Sequence, residues 1–286
     1  MARILGVSRS TVRYWKKKCG IPTYRKPRSP KHINLLQPKE LAFIIGLWYG
    51  DGHIEFNRKT RNYFFTLDLS DNELVEYLKR VILFREYARG SGLHRLFIYS
   101  KIFVQHLIDL GCVPGNKAET DPPIPEWILE DTELTLIFAL GYFLTDGCIY
   151  PRKPFIDFSA NRTIKNPSIS SKLIKLILKG TRHLGAYIIH ASCSKVFKEL
   201  SNLGAPKGLK QLSEVLADLG IRGKLKLYRL LYYHKTRRVV SGWKLTIYTA
   251  NARKLAKSFL TFAEKLKLPQ QIKKLEKLRQ IIIYSG

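Results

Sequence analysis

Acidic residues are scarce in this chain. Its 22 Asp and Glu stand against 50 Lys and Arg, a formal net charge of +28. A field of that sign repels basic partners and draws polyanions, whose displaced counterions drive binding, so nucleic acid is the partner class it implies. Cysteine is also sparse. Cys19, Cys112, Cys148 and Cys193 are scattered, with no C-x-x-C pair. That excludes a cysteine zinc cage and a disulfide framework, and points to a reducing, intracellular setting. Long apolar runs are missing. Stretches such as Leu41–Tyr49 fall short of the roughly 20 residues needed to cross a bilayer, so no membrane association is expected. Met1 leads straight into a polar, basic stretch, so no secretory leader is expected either.

What is present is enough for a substantial core. The chain has 286 residues, 45% of them hydrophobic, which suits one large domain or two small ones. Residues 1–35 form a basic appendage ending in the proline-broken stretch KPRSPKH. Within it, ARILGVSRSTVRYWKKKCGI resembles a helix-turn-helix. Gly6 would be the turn, Ser8 the N-cap and Ser8–Lys18 the recognition helix. A basic amphipathic helix is the plainer alternative.

Residues 36–111 read as α-β-β-α-β-β-α. The expected strands are His53–Asn57, Tyr63–Leu69, Phe84–Ala88 and His94–Tyr99. Helices are expected over Asn72–Leu83 and Lys101–Leu110. Residues 112–133 read as a proline-rich, locally acidic linker whose charge would keep it off a nucleic-acid face. Residues 134–268 repeat the pattern with extra chain somewhere in 160–208, including an expected helix over Ser171–Leu184. Residues 269–286 form a final basic helix. The fold class expected is α+β, built of two pseudo-symmetric α-β-β-α-β-β-α repeats.

Two segments carry the strongest signal. Leu41–Ile54 reads LAFIIGLWYGDGHI, and Leu136–Ile149 reads LIFALGYFLTDGCI. Leu, Phe, Gly, Asp, Gly and Ile recur at the same offsets. Gly46 and Gly50 share one helix face, as do Gly141 and Thr145, and small residues there let two helix backbones approach closely. Gly52 and Gly147 stand where a left-handed helix cap is expected. Asp51 and Asp146 fall in the last turn, where the helix dipole disfavours a carboxylate by a few tenths to about 1 kcal/mol. If the helices pack in parallel, two carboxylates and two sets of unpaired carbonyls converge. A hard cation with oxygen ligands relieves that cluster, Mg²⁺ by default. Asp51, Asp146 and the turns at Gly50 and Thr145 are therefore the candidate metal ligands, for two or three divalent ions shared between the aspartates.

The pair IIGLWYGDG and ALGYFLTDG resembles the two motifs of a single-chain LAGLIDADG homing endonuclease over about residues 36–265. The resemblance implies motif helices at a subdomain interface and two antiparallel sheets forming a saddle over the major groove. It implies that Asp51 and Asp146 bind the metals. The implied reaction is site-specific double-strand cleavage of a long asymmetric DNA target, leaving short 3′ overhangs. The implied protein is an intron-encoded or free-standing monomer. Lys101 fits the place of the family's supporting lysine, as a catalytic residue; the matching place in the second half holds Ala250. Non-cleaving regulators with the same core, and RNA maturases that bind intron RNA, are the alternatives.

Polar strand residues are the candidates for reading base edges. They are Asn57, Arg58, Arg61, Arg152, Lys153, Tyr232, His234, Arg237, Arg238 and Lys244, with His53, Glu55, Thr66, Asp68 and Tyr228 beside them. Strand register decides which of them face DNA.

Overall fold

The computed structural model describes residues 36–60, 62–82, 84–89, 92–150, 154–165, 181–183, 186–190 and 204–283, with isolated positions at 8, 11, 12, 14, 18, 19, 152, 174 and 177. The chain divides into two compact units, Met1–Lys31 and His32–Gly286. In the first, Ser8 acts as an N-cap. Its Oγ accepts from the Thr11 N–H at 3.1 Å, and the Val12 N–H bonds the Ser8 carbonyl at 3.2 Å. Gly6, Arg9, Arg13 and residues 15–17 of the expected helix-turn-helix lie outside the described residues.

The second unit is α+β. Its first half runs α1 (Pro38–Asp51), β1 (Gly52–Asn57), β2 (Asn62–Leu69), α2 (Asn72–Val81), β3 (Arg85–Arg89), β4 (Leu93–Tyr99) and α3 (Lys101–Asp109). The connecting segment 112–133 holds two short helices, α4 (Lys117–Thr120) and α5 (Glu126–Leu129). The second half runs α6 (Thr132–Asp146), β5 (Cys148–Tyr150), β6 (Phe155–Thr163), β7 (Thr181–His183), β8 (Ala186–His190), α7 (Lys207–Asp218), β9 (Gly223–Tyr233), β10 (Arg238–Tyr248) and α8 (Thr249–Lys265). Helix α9 (Lys273–Ile283) follows.

Both halves build an antiparallel sheet in the same strand order. The first is β1-β2-β4-β3; the second is β5-β6-β10-β9, extended past β9 by β8 and β7. The extra chain therefore sits between β6 and α7, and its hairpin widens one edge of the sheet. The helix expected over Ser171–Leu184 falls mostly outside the described residues, and at its end Thr181–His183 pairs with Ala186–Ile188 as a strand.

α1 and α6 are apolar around their whole circumference, as a central buried helix must be. Leu41–Tyr49 and Leu134–Leu144 are buried throughout. Their entry points are fixed locally. Gln37 and Glu40 form a capping box on α1, and the Asp131 carboxylate accepts from the Glu133 and Leu134 N–H groups at 2.7 and 3.1 Å. The two helices run side by side in parallel, because Gly46 lies against Phe138 and Tyr142 while Gly50 lies against Thr145 and Asp146. A Cβ at Gly46 would stand 2.1 Å from the Phe138 carbonyl oxygen, and one at Gly141 2.3 Å from that of Phe43. Only glycine permits this separation.

Gly52 and Gly147 depart from the expectation of left-handed caps. Their φ values are −89° and −71°. What selects glycine is space, since a Cβ would meet Trp48 Cα at 2.4 Å or the Phe143 ring at 2.4 Å. Left-handed caps occur instead at the ends of α3 and α8. Gly111 and Lys267 have φ of 98° and 55°. The Cys112 and Leu268 N–H groups reach back to Leu107 and Ala263 at 2.9 and 2.8 Å. The same stop thus closes each repeat.

Among the described residues, no helix is long and apolar enough to cross a membrane, and Cys19, Cys112 and Cys148 are free thiols.

Candidate functional site

Parallel packing brings the ends of α1 and α6 together. The Asp51 and Asp146 carboxyls come close enough to influence each other's titration. Both titrate above the ordinary carboxylate range, first because the surrounding protein desolvates them. For Asp146 the neighbouring Asp51 charge adds to this, and its pKa is pushed up to about 6. Asp51 keeps a solvent-exposed edge and Asp146 is half-buried, so the pair is open to a ligand. Gly52 and Cys148, the next strand starts, belong to β1 and β5, the outermost strands of their sheets. The carboxylates therefore sit where the two sheets meet.

Two lysines complete the cluster. Lys117, at the start of α4, donates to the carbonyls of Trp48 at 2.6 Å, Tyr49 at 3.0 Å and Gly50. Lys274, in the first turn of α9, donates to Phe143 at 3.0 Å and to Thr145. Each ammonium caps the C-terminal end of one motif helix, where orphan carbonyls and the dipole favour a cation. Burial lowers the pKa of both, Lys117 to about 8, while the aspartates oppose that shift. Two carboxyls and two ammoniums thus form one compact group.

This arrangement differs from two expectations. Lys101 is the first residue of α3, exposed, with its ammonium 5.8 Å from the Tyr63 ring centre. The lysines whose charges act on both aspartates are Lys117 and Lys274. The segment after α3 is not held off the site by its acidity. It delivers Lys117, and its carboxylates are used elsewhere, Glu119 pairing with Arg238 and Asp121 with Arg162 at 3.1 Å. The site is also more symmetric than a lone Lys101 suggested, since each repeat is followed by one capping lysine. The signal in the sequence was a lysine shortly after a proline beyond each repeat, Pro114 before Lys117 and Pro269 before Lys274.

The expected metal ligands supply only oxygen. The Gly50 and Thr145 carbonyls each accept from a lysine and retain a second lone pair. No group of three or more His, Cys, Asp or Glu gathers among the described residues. The two carboxylates, flanking carbonyls, water and substrate phosphate form the kind of open oxygen set that a hard divalent ion accepts. Two unequal cavities flank the pair. One of about 420 Å³ is lined by Asp146, Lys117 and Tyr142, and one of about 210 Å³ by Asp51, Lys274 and Lys277.

The expected base-reading residues divide. Tyr228 and Lys244 belong to the open face of the second sheet, as do His53, Glu55 and Asp68 in the first, while Thr66 on that face is buried. Lys244 is paired with the buried Asp157 at 3.0 Å and lies 5.0 Å from the Tyr228 ring centre. Asn57 is engaged in its own turn, accepting from Lys59 and Thr60. Arg58 is exposed beside the Phe56 ring, and Arg152 is exposed in a turn. His234 and Arg237 are exposed in the β9–β10 turn. Tyr232 is buried in the core, 6% exposed. A β-bulge opposite Gly242/Trp243 leaves Tyr228 unpaired and reverses the alternation, so Tyr232 turns inward. Arg61 and Lys153 lie outside the described residues.

No protein-family model matches the chain. An uncharacterized protein of Methanocaldococcus jannaschii is 31% identical over 81 residues, which is 28% of this chain and 28% of that protein. Solved structures similar to this chain include I-DmoI in complex with DNA and Ca (TM-score 0.47, 14% identity, 84% of this chain and 97% of that chain). The homing endonuclease I-WcaI bound to its DNA recognition sequence gives a TM-score of 0.42 at 14% identity, over 84% of this chain and 87% of that one. The N-terminal LAGLIDADG domain of WhiA gives 0.37 at 12%, over 86% and 90%.

Proposed function

We propose that this chain is a metal-dependent DNA endonuclease of the homing type, acting as a monomer on a long asymmetric duplex and leaving short 3′ overhangs. One observation carries the reading: two carboxyls from matched helix ends converge beside two half-buried lysines that cap those ends, in a chain carrying +28. Solvation alone would drive such carboxylates apart, and a cation with a phosphodiester gives them a reason to converge. Asp51 and Asp146, with the Gly50 and Thr145 carbonyls, would hold divalent ions, Mg²⁺ foremost. Such ions supply an activated water and neutralise charge on the leaving oxygen.

The chain's own residues supply the rest. The sheets place the backbone across the aspartates. Lys117 and Lys274 hold the motif ends fixed and offset the charge that gathers when phosphate joins two carboxylates. The reading is tested by incubating the full chain with a duplex spanning the uninterrupted insertion site of its own gene, first in Mg²⁺ and then in Ca²⁺. Tight binding without a nick in either strand overturns it.

A pH effect follows. Asp146 titrates above its unfolded value because burial favours the protonated form. That contribution to stability is complete below the unfolded carboxylate range and lost as pH rises through about 6. A divalent cation competes with this proton. Millimolar Mg²⁺ is therefore expected to raise the melting temperature at about pH 7.5 and to have little effect at about pH 5. Equal shifts at both values would contradict the assignment of the pair as the cation site.

A further inference from the structure

Both site lysines sit on segments that trail a repeat. Lys117 belongs to α4, which follows the first half, and Lys274 to α9, which follows the second. A lysine stem is long and flexible, and a helix of four residues such as α4 does not hold itself together. Other contacts must fix each ammonium against its motif end. Two aspartates do so in matching ways. Asp121, just past α4, accepts from the Lys207 N–H at 2.9 Å with one carboxylate oxygen, and its other oxygen lies 3.1 Å from Arg162 Nε. Lys207 is the first residue of α7, in the second half. Asp71 caps α2 in the first half, accepting from the Leu74 N–H at 3.1 Å. Its other oxygen accepts at 3.0 Å from the N–H of Lys273, the neighbour of Lys274.

α2 and α7 hold the same place in their repeats, since each precedes the last two strands of its half. Each receives the other half's trailing segment at its first turn, through one carboxylate. A second bond repeats the pattern. Tyr77 of α2 donates its hydroxyl to the Leu266 carbonyl at 2.9 Å, and Gln211 of α7 accepts from the Ile124 N–H at 2.9 Å. Around Lys117 the crossing is reinforced, because Tyr49 donates to the Pro122 carbonyl and Glu119 pairs with Arg238. The Asp121 side chain is only 11% exposed, and its backbone is left-handed at φ 49°. A non-glycine residue adopts that conformation at a cost, which its two side-chain contacts offset.

We propose that Asp121 and Asp71 are positioning residues for the two site lysines. Each ties a trailing segment to the opposite half, so each ammonium reaches its motif end only while the halves are docked. The effect on cleavage rests on the nuclease reading, whereas the placement of the lysines is read without any reaction.

Brief digestion of the full chain with dilute trypsin in EDTA, with each cut quantified by mass spectrometry, reads how often a segment opens. Asp121→Gly removes both side-chain contacts, and glycine takes the left-handed turn freely. Loss of bonds to a charged acceptor favours the open form by about tenfold or more. Nicking after Lys117 is therefore expected to rise by about that factor, while nicking after Lys274 stays unchanged. Asp121→Asn returns an acceptor to the Lys207 N–H and is expected to restore part of the protection. Asp71→Asn keeps an oxygen for the Leu74 N–H, and with it the α2 cap, but turns an amide NH₂ toward the Lys273 N–H. It is expected to expose Lys274 and to leave Lys117 protected. Release of both segments together, or of neither, would overturn the proposal, because general loosening exposes both. In Mg²⁺ the Asp121→Gly chain is expected to cut the insertion-site duplex at least about tenfold more slowly, with binding within a fewfold of the parent. Parent-like cleavage by a chain whose Lys117 segment is released would also overturn it. Selective release with no cleavage even by the parent sinks the nuclease reading and leaves the two ties standing.

Discussion

Asp146→Asn is expected to reduce strand cleavage at least about 10³-fold, equivalent to some 4 kcal/mol of transition-state stabilisation, while leaving DNA binding within a fewfold of the parent. Asp51→Asn is expected to do the same. The substitution keeps the size and removes a negative oxygen, so α1 and α6 still pack through Gly46 and Gly141. It also removes the burial cost that raises both carboxyls. Each variant should therefore melt at or above the parent temperature in EDTA and lose the parent's gain in Mg²⁺. Plasmid nicking, anisotropy and thermal melting measured together separate the outcomes. A variant that unfolds, or one that still cleaves both strands, would show that the pair is only a packing feature. Because the aspartates share their partners, the double variant should cost about as much as either single one.

Lys117→Met sharpens the same test. Its ammonium satisfies three carbonyls at the end of α1, so its loss leaves them bare in a largely buried place. A site that depends on the Lys117 charge loses activity above about pH 8 in the parent, as the lysine deprotonates. In the Met variant that alkaline limb should vanish along with most of the rate.

Local pattern made much of the fold legible. Period-two runs and helical stripes located β1, β2, α2, β4 and α3 to within a few residues, because each buries one face against a single core. The duplicated glycines revealed the helix seam, since no other side chain tolerates a carbonyl at that distance. What escaped was set by tertiary partners. Lys117 and Lys274 are two lysines among many in the sequence, and only the parallel packing of α1 and α6 makes their positions special. Tyr232 was misplaced because a bulge is a property of two strands, not of one.

Gly46→Ala is expected to destabilise the fold by about 3 kcal/mol or more, lowering the melting temperature by roughly 10 °C. The added Cβ would sit 2.1 Å from the Phe138 carbonyl oxygen and 3.0 Å from the Phe138 carbonyl carbon and the Tyr142 nitrogen. All three are backbone atoms inside a helix, so no rotamer change relieves the clash and the helices must move apart. Gly141→Ala meets Phe43 and Leu47 in the same way. Once one substitution has parted the helices, the second finds room, so the double variant should cost clearly less than the sum. Gly50→Ala tests the other kind of contact. Its Cβ would meet the Thr145 side chain, Oγ1 at 1.9 Å and Cβ at 2.7 Å. Thr145→Gly removes both atoms and should restore much of the loss, whereas it should do nothing for Gly46→Ala. Chemical denaturation of these single variants and their combinations measures the couplings. Additive losses at Gly46 and Gly141, or rescue of both sites by Thr145→Gly, would mean that the seam is not held by these backbone contacts. Cleavage should fall with separation even where folding survives, because Asp51 and Asp146 meet only while the helices above them touch.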